Sequence, residues 1–534
     1  MVANKNHIQE VVDSDLVEDV DLHKGYHSRA IDVRKMTPTV VMLVVLTSFC
    51  GFMFGYDTGY ISGALVVVGN DLGKPLTAGN KEFITSATSL GAFLASLMGG
   101  SLADAVGRKW VISGANVLFI VGGIVQTCAH TLWTMIVGRF IMGFGVGFAS
   151  LVAPIYISEM APSRFRGRLI VLNVLAITFG QLVAYAIGAG LTKVHNGWRI
   201  IVGLSLVPAV AQMSLFVFMP ETPRYLVRHN RNDQAREVLN RVYLGATTTE
   251  LDEKIQELVN YARIELHEGM PWHKRVVLNL KDLHFVPANF RALVITCGLQ
   301  GIQQFSGWNS LMYFSATVFQ SVGFNNPTAV SIIISGTNFV FTIVAFFIID
   351  IVGRRRLLLC TVWGMSLGLA LNAIAFHFLP PLVDGQTSAP MNAWSVIVII
   401  AMLIFAAFYA TGIGNVPWQQ SEMFSMNVRG VGTSFATATN WAGSLIVSST
   451  FLTMLQNITP TGTFAFYAGL CVVGQIFIYF FYPETAGLTI EEVQELLTGG
   501  FNVRASVQRH KAVKKYYAAA LAEEKHEARQ NEQA

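Results

Sequence analysis

Long apolar runs alternate with short polar breaks along most of this 534-residue chain. A helix needs about 20 mainly apolar residues to cross roughly 30 Å of hydrocarbon. Runs of that length lie near 39–67, 84–104, 110–129, 133–155, 168–191 and 199–219. A second set lies near 291–320, 328–349, 356–379, 393–419, 430–456 and 463–482. The pattern predicts twelve transmembrane helices in two sets of six. Between the sets, the stretch 220–290 is rich in Arg, Lys and Glu and reads as soluble helices. The expected organisation is a tail (1–38), a six-helix bundle (39–219), a helical linker domain (220–290), a second bundle (291–482) and a closing tail (483–534).

The polar breaks predict an orientation. Arg108 and Lys109 follow span 2, Arg164, Arg166 and Arg168 follow span 4, Arg354 to Arg356 follow span 8, and Arg429 follows span 10. The alternate loops carry little beyond Lys74, Lys81 and Lys193. Cytoplasmic loops are the ones enriched in Lys and Arg, so both termini and the linker domain are expected in the cytoplasm. Thr489 and Glu492 have the spacing of a capping box opening a short helix. The Lys- and Glu-rich end, 511–534, reads as a tail of regulatory type.

The breaks also repeat. Asp104 to Arg108 after span 2 (DAVGR) matches Asp350 to Arg354 after span 8 (DIVGR). Glu159 and Arg166-Gly167 match Glu422 and Arg429-Gly430, and Pro220-Glu-Thr matches Pro483-Glu-Thr. The last two pairs share an offset of 263 residues, and the first is offset by 246. Polar signals recurring in order at the same loops point to two parallel bundles related by an axis along the membrane normal, with a site at their interface.

Composition narrows the class. Hydrophobic residues make up 52% and charged residues 13%, too few charges to cover a soluble surface of this size. The net charge of +4 gives no reason to expect a nucleic-acid partner. Five cysteines stand singly in apolar stretches, which predicts neither a disulfide framework nor a zinc site. No nucleophile–base pair, metal cluster or phosphate loop stands out, so the expectation is no catalytic residue, no metal and no cofactor. The run GFGVG (143–147) lies inside span 4 with no strand before it, where small residues let helices approach closely.

Eight strings carry a resemblance: FGYDTGYISG (54–63), DAVGRK (104–109), SEMAPSRFRGRL (158–169), PETPR (220–224), QQFSGWNS (303–310), DIVGRRR (350–356), VPWQQSEMF (416–424) and PETAG (483–487). In that order and at those helix ends, the chain resembles the sugar porters of the major facilitator superfamily. Around Gln303 to Phe314 and in span 1 it looks most like the fungal myo-inositol transporters. The resemblance implies an all-α polytopic membrane protein with the major facilitator fold and cytoplasmic linker helices. It implies a monomeric secondary active transporter in the plasma membrane. That transporter would move myo-inositol, or a related neutral polyol, into the cell with a proton. Proton-coupled or facilitative hexose or pentose transport, and a non-transporting nutrient sensor on the same fold, stay open. Ala105, Val174 and Trp308 depart from the family pattern, and PETAG lacks its usual Lys.

Candidate site residues follow. Asp57 sits deep in span 1, where a carboxylate is costly unless paired, protonated or facing a cavity. Arg139 in span 4 is its expected partner. Desolvation favours the protonated acid and a nearby guanidinium favours the carboxylate, so changing their separation moves a proton. A static buried ion pair is the alternative. Gln181, Gln303, Gln304, Asn309, Asn338 and Asn440 are uncharged amides in apolar spans, suited to hydroxyls that both donate and accept. Phe54, Tyr313, Trp418 and Trp441 offer flat apolar faces to ring CH groups. The resemblance places the amides and Trp418 at a sugar site. Asp104, Arg108, Glu159, Arg166, Asp350, Arg354, Glu422 and Arg429 are expected to form a cytoplasmic gate, because topology alone explains the arginines but not the matching acids.

Overall fold

A computed structural model describes residues 37–162, 165–191, 194–243, 245–263, 272–324, 327–380, 392–425, 427–488 and 490–515. Most of the first tail, Arg164, Lys193, Thr489 of the expected capping box and the last 19 residues of the regulatory-type tail lie outside the described residues.

Twelve membrane-crossing helices form the body. In the first half, spans 1 to 5 are Pro38–Val67, Ala78–Val106, Arg108–Thr127, Leu132–Met160 and Arg166–Leu191. Span 6 runs from Gly197 to Phe218 in segments. Pro208 has no N–H for the carbonyl of Leu204, and the helix is interrupted just there, at Ser205. In the second half, span 7 is Pro287–Phe305 plus Trp308–Ser321, and spans 8 and 9 are Pro327–Val352 and Arg354–Phe378. Span 10 is Ala393–Thr411 followed by a 3₁₀ segment, Val416–Glu422. Spans 11 and 12 are Arg429–Asn457 and Thr459–Phe481.

Ten of the described helices are long and apolar enough to cross a bilayer on those grounds alone. Spans 7 and 11 are the two that fall short. Span 7 is broken at Ser306 and Gly307, where Gly307 takes φ +84°. Span 11 (GVGTSFATATNWAGS) is thick with small polar residues. Both are buried along much of their length, and both carry candidate site amides.

The halves meet along two helix pairs, span 2 with span 11 and span 5 with span 8. The repeat sends span 2 to span 8 and span 11 to span 5, so each pair is the other's image. Span 7 also lies against span 1 across the interface. Linker helices Pro223–Arg228, Asn232–Val242 and Thr248–Arg263 share a hydrophobic core with the first half. Asn232–Val242 buries Ala235, Val238, Leu239 and Val242 at i, i+3, i+4, i+7 spacing. The fourth linker helix, Trp272–Phe285, packs against the second half through Leu280 and Leu283. The linker helices therefore mark one face of the membrane body.

Candidate functional site

Between the halves lies a small cavity. Spans 1 and 5 contribute Phe54, Val174, Ile177, Thr178 and Gln181. Span 7 contributes Gln303, Gln304, Trp308 and Asn309, and span 8 contributes Asn338 and Thr342. Span 10 contributes Tyr409, Ala410, Gly414, Asn415 and Trp418. Every wall residue is buried, and none carries a formal charge.

The amides form a connected network. Asn440 Nδ2 donates to Gln300 Oε1 and Gln303 Oε1, each at 2.6 Å, and Asn440 Oδ1 accepts from Gln304 Nε2 at 3.0 Å. Asn309 Nδ2 donates to Gln304 Oε1 at 2.8 Å. Gln303 Nε2 donates to the carbonyls of Ile413 (3.0 Å) and Gly414 (3.3 Å), and Gln300 Nε2 to that of Pro417 (3.1 Å). Those carbonyls belong to the break in span 10. Helix breaks at membrane depth survive only where neighbours satisfy the freed backbone groups. Across the interface, Asn338 Nδ2 donates to Gln181 Oε1 at 3.1 Å. Trp308 stacks on Tyr409 at 4.4 Å between ring centroids.

Of the nine residues expected around a substrate, Phe54, Gln181, Gln303, Gln304, Asn309, Asn338 and Trp418 line this cavity. Asn440 stands behind the wall as the hub of the network. Tyr313 is not among the residues that line the cavity. It is fully buried away from the cavity, its hydroxyl beside Thr58 and Ser444 and close to Asp57 and Arg139. It stands one helical turn past Asn309, displaced along span 7 rather than rotated off that face. Gln303 has both amide hydrogens committed to backbone, so it braces span 10 as well as lining the space. Tyr409 and Asn415 went unremarked in the sequence; the Gly-rich interruption before Trp418 was the available signal.

One turn beyond Phe54 on span 1, Arg139 Nη1 donates to Asp57 Oδ1. Both side chains are buried. Arg139 also donates to Tyr60 Oη (3.2 Å) and the Ile84 carbonyl (3.4 Å), while its Nη2 has no partner. The pair lies within the first half and outside the cavity wall.

On the linker face the eight predicted charges come together. Arg108 meets Asp104 at 2.9 Å and Glu159 at 3.2 Å; Arg354 meets Asp350 at 3.1 Å and Glu422 at 3.5 Å. Contacts cross the halves in a matching way. Arg429 reaches Glu159 at 3.9 Å, and Arg166 lies within electrostatic reach of Glu422. The Arg168 N–H donates to Asp350 Oδ2 at 3.1 Å, an acid at a helix N-terminus. A Cβ on Gly430 would fall 2.3 Å from Asp104, and one on Gly167 would fall 2.4 Å from Asp350. Each half's aspartate thus sits on the other half's glycine.

The repeated Pro-Glu-Thr strings have a shared role. Glu221 accepts from the N–H groups of Arg108 (3.1 Å) and Lys109 (3.2 Å), and Glu484 from those of Arg354 (2.9 Å) and Arg355 (3.1 Å). Each caps the span that begins after a glycine of positive φ, Gly107 or Gly353. Burial pushes the Glu221 carboxyl up, against the opposing pull of its backbone donors and Arg108. The missing Lys in PETAG leaves this contact intact.

The opposite face is closed by other chemistry. Glu82 accepts from the N–H and hydroxyl of Thr453, both at 2.9 Å. Ser62 meets Ser315 at 3.3 Å and Ser89 meets Ser444 at 3.1 Å. Contacts between the halves therefore lie on both faces of the cavity.

The pattern of the sugar (and other) transporter family matches residues 43–497. Myo-inositol transporter 1 of Saccharomyces cerevisiae is 55% identical over 478 residues, 89% of this chain and 82% of that protein. Myo-inositol transporter 2 of Schizosaccharomyces pombe is 47% identical, covering 89% and 85%. Among solved structures, the proton:xylose symporter XylE bound to 6-bromo-6-deoxy-D-glucose superposes with TM-score 0.75 at 25% identity, covering 86% of this chain and 99% of that one. The inward-open form of XylE from E. coli gives 0.65, in keeping with a closed linker face here.

Proposed function

The chain belongs to the sugar (and other) transporter family, and from that premise we propose that it carries myo-inositol, or a closely related neutral polyol, into the cell with a proton. The membrane is the plasma membrane, with both termini and the linker helices in the cytoplasm. The chain works as a monomer by alternating access.

One observation carries this reading: an uncharged cavity between two equivalent bundles, walled by buried amides and aromatic faces, with a buried acid one helical turn away. A charged substrate would find no counter-charge in that wall and would bear its full desolvation cost. A ring whose every substituent is a hydroxyl finds donors and acceptors on all sides. Asn338, Gln181, Gln304 and Asn309 hold it, and Trp308, Tyr409, Trp418 and Phe54 cover its CH faces. The names of the relatives, myo-inositol transporters in two yeasts, support the choice of polyol.

The linker-face charges form the inner gate. When the halves rock, the contacts of Arg429 and Arg166 with the opposite half part while each half keeps its own pairs. Asp57 takes the proton. Protonation removes its attraction for Arg139, and the guanidinium shifts among Tyr60, the Ile84 carbonyl and Tyr313.

The test is uptake of radiolabelled myo-inositol by proteoliposomes under an imposed pH gradient, with unlabelled inositol, glucose and xylose as competitors. Concentrative uptake that collapses with a protonophore and is displaced most strongly by inositol is expected. Stronger displacement by glucose or xylose would move the substrate to a hexose or pentose. Uptake indifferent to the gradient would make the chain a facilitator, and no transport with intact binding would make it a sensor.

A further inference from the structure

Resting on that reading, we infer that Asn415 is the residue that sets a cyclitol apart from a pyranose sugar. Asn415 stands in the break of span 10 and lines the cavity beside Gly414 and Trp418. It is fully buried. Its amide nitrogen donates to the carbonyl of Ala410, closing the irregular turn between Thr411 and Val416. Its Oδ1 has no hydrogen-bond partner. The opposite orientation of the amide would set Oδ1 against the Ala410 carbonyl, two acceptors face to face, so the carbonyl end is the one left over.

A buried carbonyl without a donor costs free energy until something supplies one. The neighbouring amides do not. Gln303 spends both hydrogens on Ile413 and Gly414, and Asn440 spends both of its own on Gln300 and Gln303. A ligand in the cavity that Asn415 lines can supply the donor. Oδ1 can only accept. A cyclitol carries an O–H on every ring carbon, so whichever substituent meets Asn415 can donate. A pyranose has one ring oxygen that bears no hydrogen, and in the register that brings it to Asn415 two acceptors meet. The wall thereby rejects that register of a hexose and loses nothing with inositol.

The experiment measures binding of myo-inositol, glucose and a set of cyclitols, each with one hydroxyl replaced by fluorine, to purified wild type and Asn415→Leu. Fluorine accepts weakly and cannot donate. In the wild type, fluorine at one ring position should weaken binding at least about tenfold more than at the others. In Asn415→Leu that penalty should vanish, inositol should weaken about tenfold, and glucose should change less than about threefold, so the preference collapses. Equal weakening of every ligand, or a fluorine pattern unchanged by the substitution, would overturn the assignment. Should Asn415→Leu fail to fold, a flat fluorine series in the wild type would overturn it alone. A wild type that prefers glucose to inositol would instead sink the polyol reading itself.

Discussion

Adding one methyl at Gly100 should bias the whole transport cycle. Gly100 lies on span 2 where its backbone meets that of span 11, and its N–H donates to Ser434 Oγ at 2.9 Å. A Cβ there would fall 1.8 Å from the carbonyl oxygen of Gly430, against 3.4 Å where ordinary contact begins. The obstacle is backbone, which cannot swing aside, so the halves must part by about 1.6 Å at this point. Overpacking of this kind costs about 1–3 kcal/mol. That cost applies only while the linker face is closed, since an open linker face separates spans 2 and 11. Gly100→Ala should therefore shift the equilibrium about 5- to 150-fold toward the linker-open state. Spin labels at Val106 and Ile351, exposed at the linker-face ends of spans 2 and 8, read the separation. A longer distance component should grow in Gly100→Ala. Two controls isolate the cause. In Gly55→Ala the Cβ would fall 1.8 Å from the Ile177 carbonyl, but both residues belong to the first half. That variant should lose thermal stability with no change in distance. A Cβ on Gly63 meets nothing within 4 Å and should be silent in both measurements. If Gly100→Ala merely loses stability like Gly55→Ala, with the label distances unmoved, the contact is packing and not a gate.

Glu159→Gln leaves Arg108 and Arg429 short of a buried counter-charge; a cost of about 3–5 kcal/mol should appear as a lower Tm and a longer Val106–Ile351 distance. Asn440→Ala strands Gln300, Gln303 and Gln304 together, so KM should rise about tenfold for every substrate alike; a selective loss would place Asn440 in contact with substrate after all. Asp57→Asn should abolish accumulation against a gradient but spare counterflow exchange, and a variant that still concentrates substrate makes the ion pair a static strut. Tyr313→Phe should leave KM within about twofold, since the ring lies outside the cavity, while altering the pH dependence of uptake; a tenfold KM change would return it to the wall.

Sequence made the spans legible because lipid admits little else: an apolar run of some 20 residues has few other uses. The repeat was legible because polar residues at helix ends are not interchangeable, and Asp104 against Gly430 mirrors Asp350 against Gly167. The amides were legible because each is expensive in hydrocarbon and must be explained. What each amide does was not. Tyr313 and Asn309 share one face of a helix, and how far along that face the cavity reaches depends on the neighbouring spans. The free carbonyl of Asn415 depends on the break in span 10 and on where Gln300 and Gln303 spend their hydrogens, which no spacing encodes. Glu82 was hidden because a lone acid near a helix start reads as ordinary loop chemistry, and its partner Thr453 lies 371 positions away.

The two closures differ in kind, and the difference assigns them different tasks. On the linker face, each half pairs its own charges, Arg108 with Asp104 and Glu159 and Arg354 with Asp350 and Glu422, while Arg429 and Arg166 reach the opposite half's glutamate, so opening breaks the cross-half contacts and leaves each acid with an arginine of its own half. That arrangement lets the face part without stranding an acid in low dielectric, where one unmatched ion costs several kcal/mol. On the far face, the closure is hydroxyl to hydroxyl, with one carboxylate on Thr453, and such contacts exchange readily for water. Asp57 lies on span 1 between Phe54 of the cavity and Ser62 of this far closure. A proton entering from the far side therefore reaches Asp57 before the linker-face network. Its charge change would be felt first by Arg139 and by Tyr313 on the second segment of span 7, whose Ser315 completes the Ser62 contact. On the proposed reading, proton binding and the far closure are joined through Tyr313 and Ser315 of one helical segment.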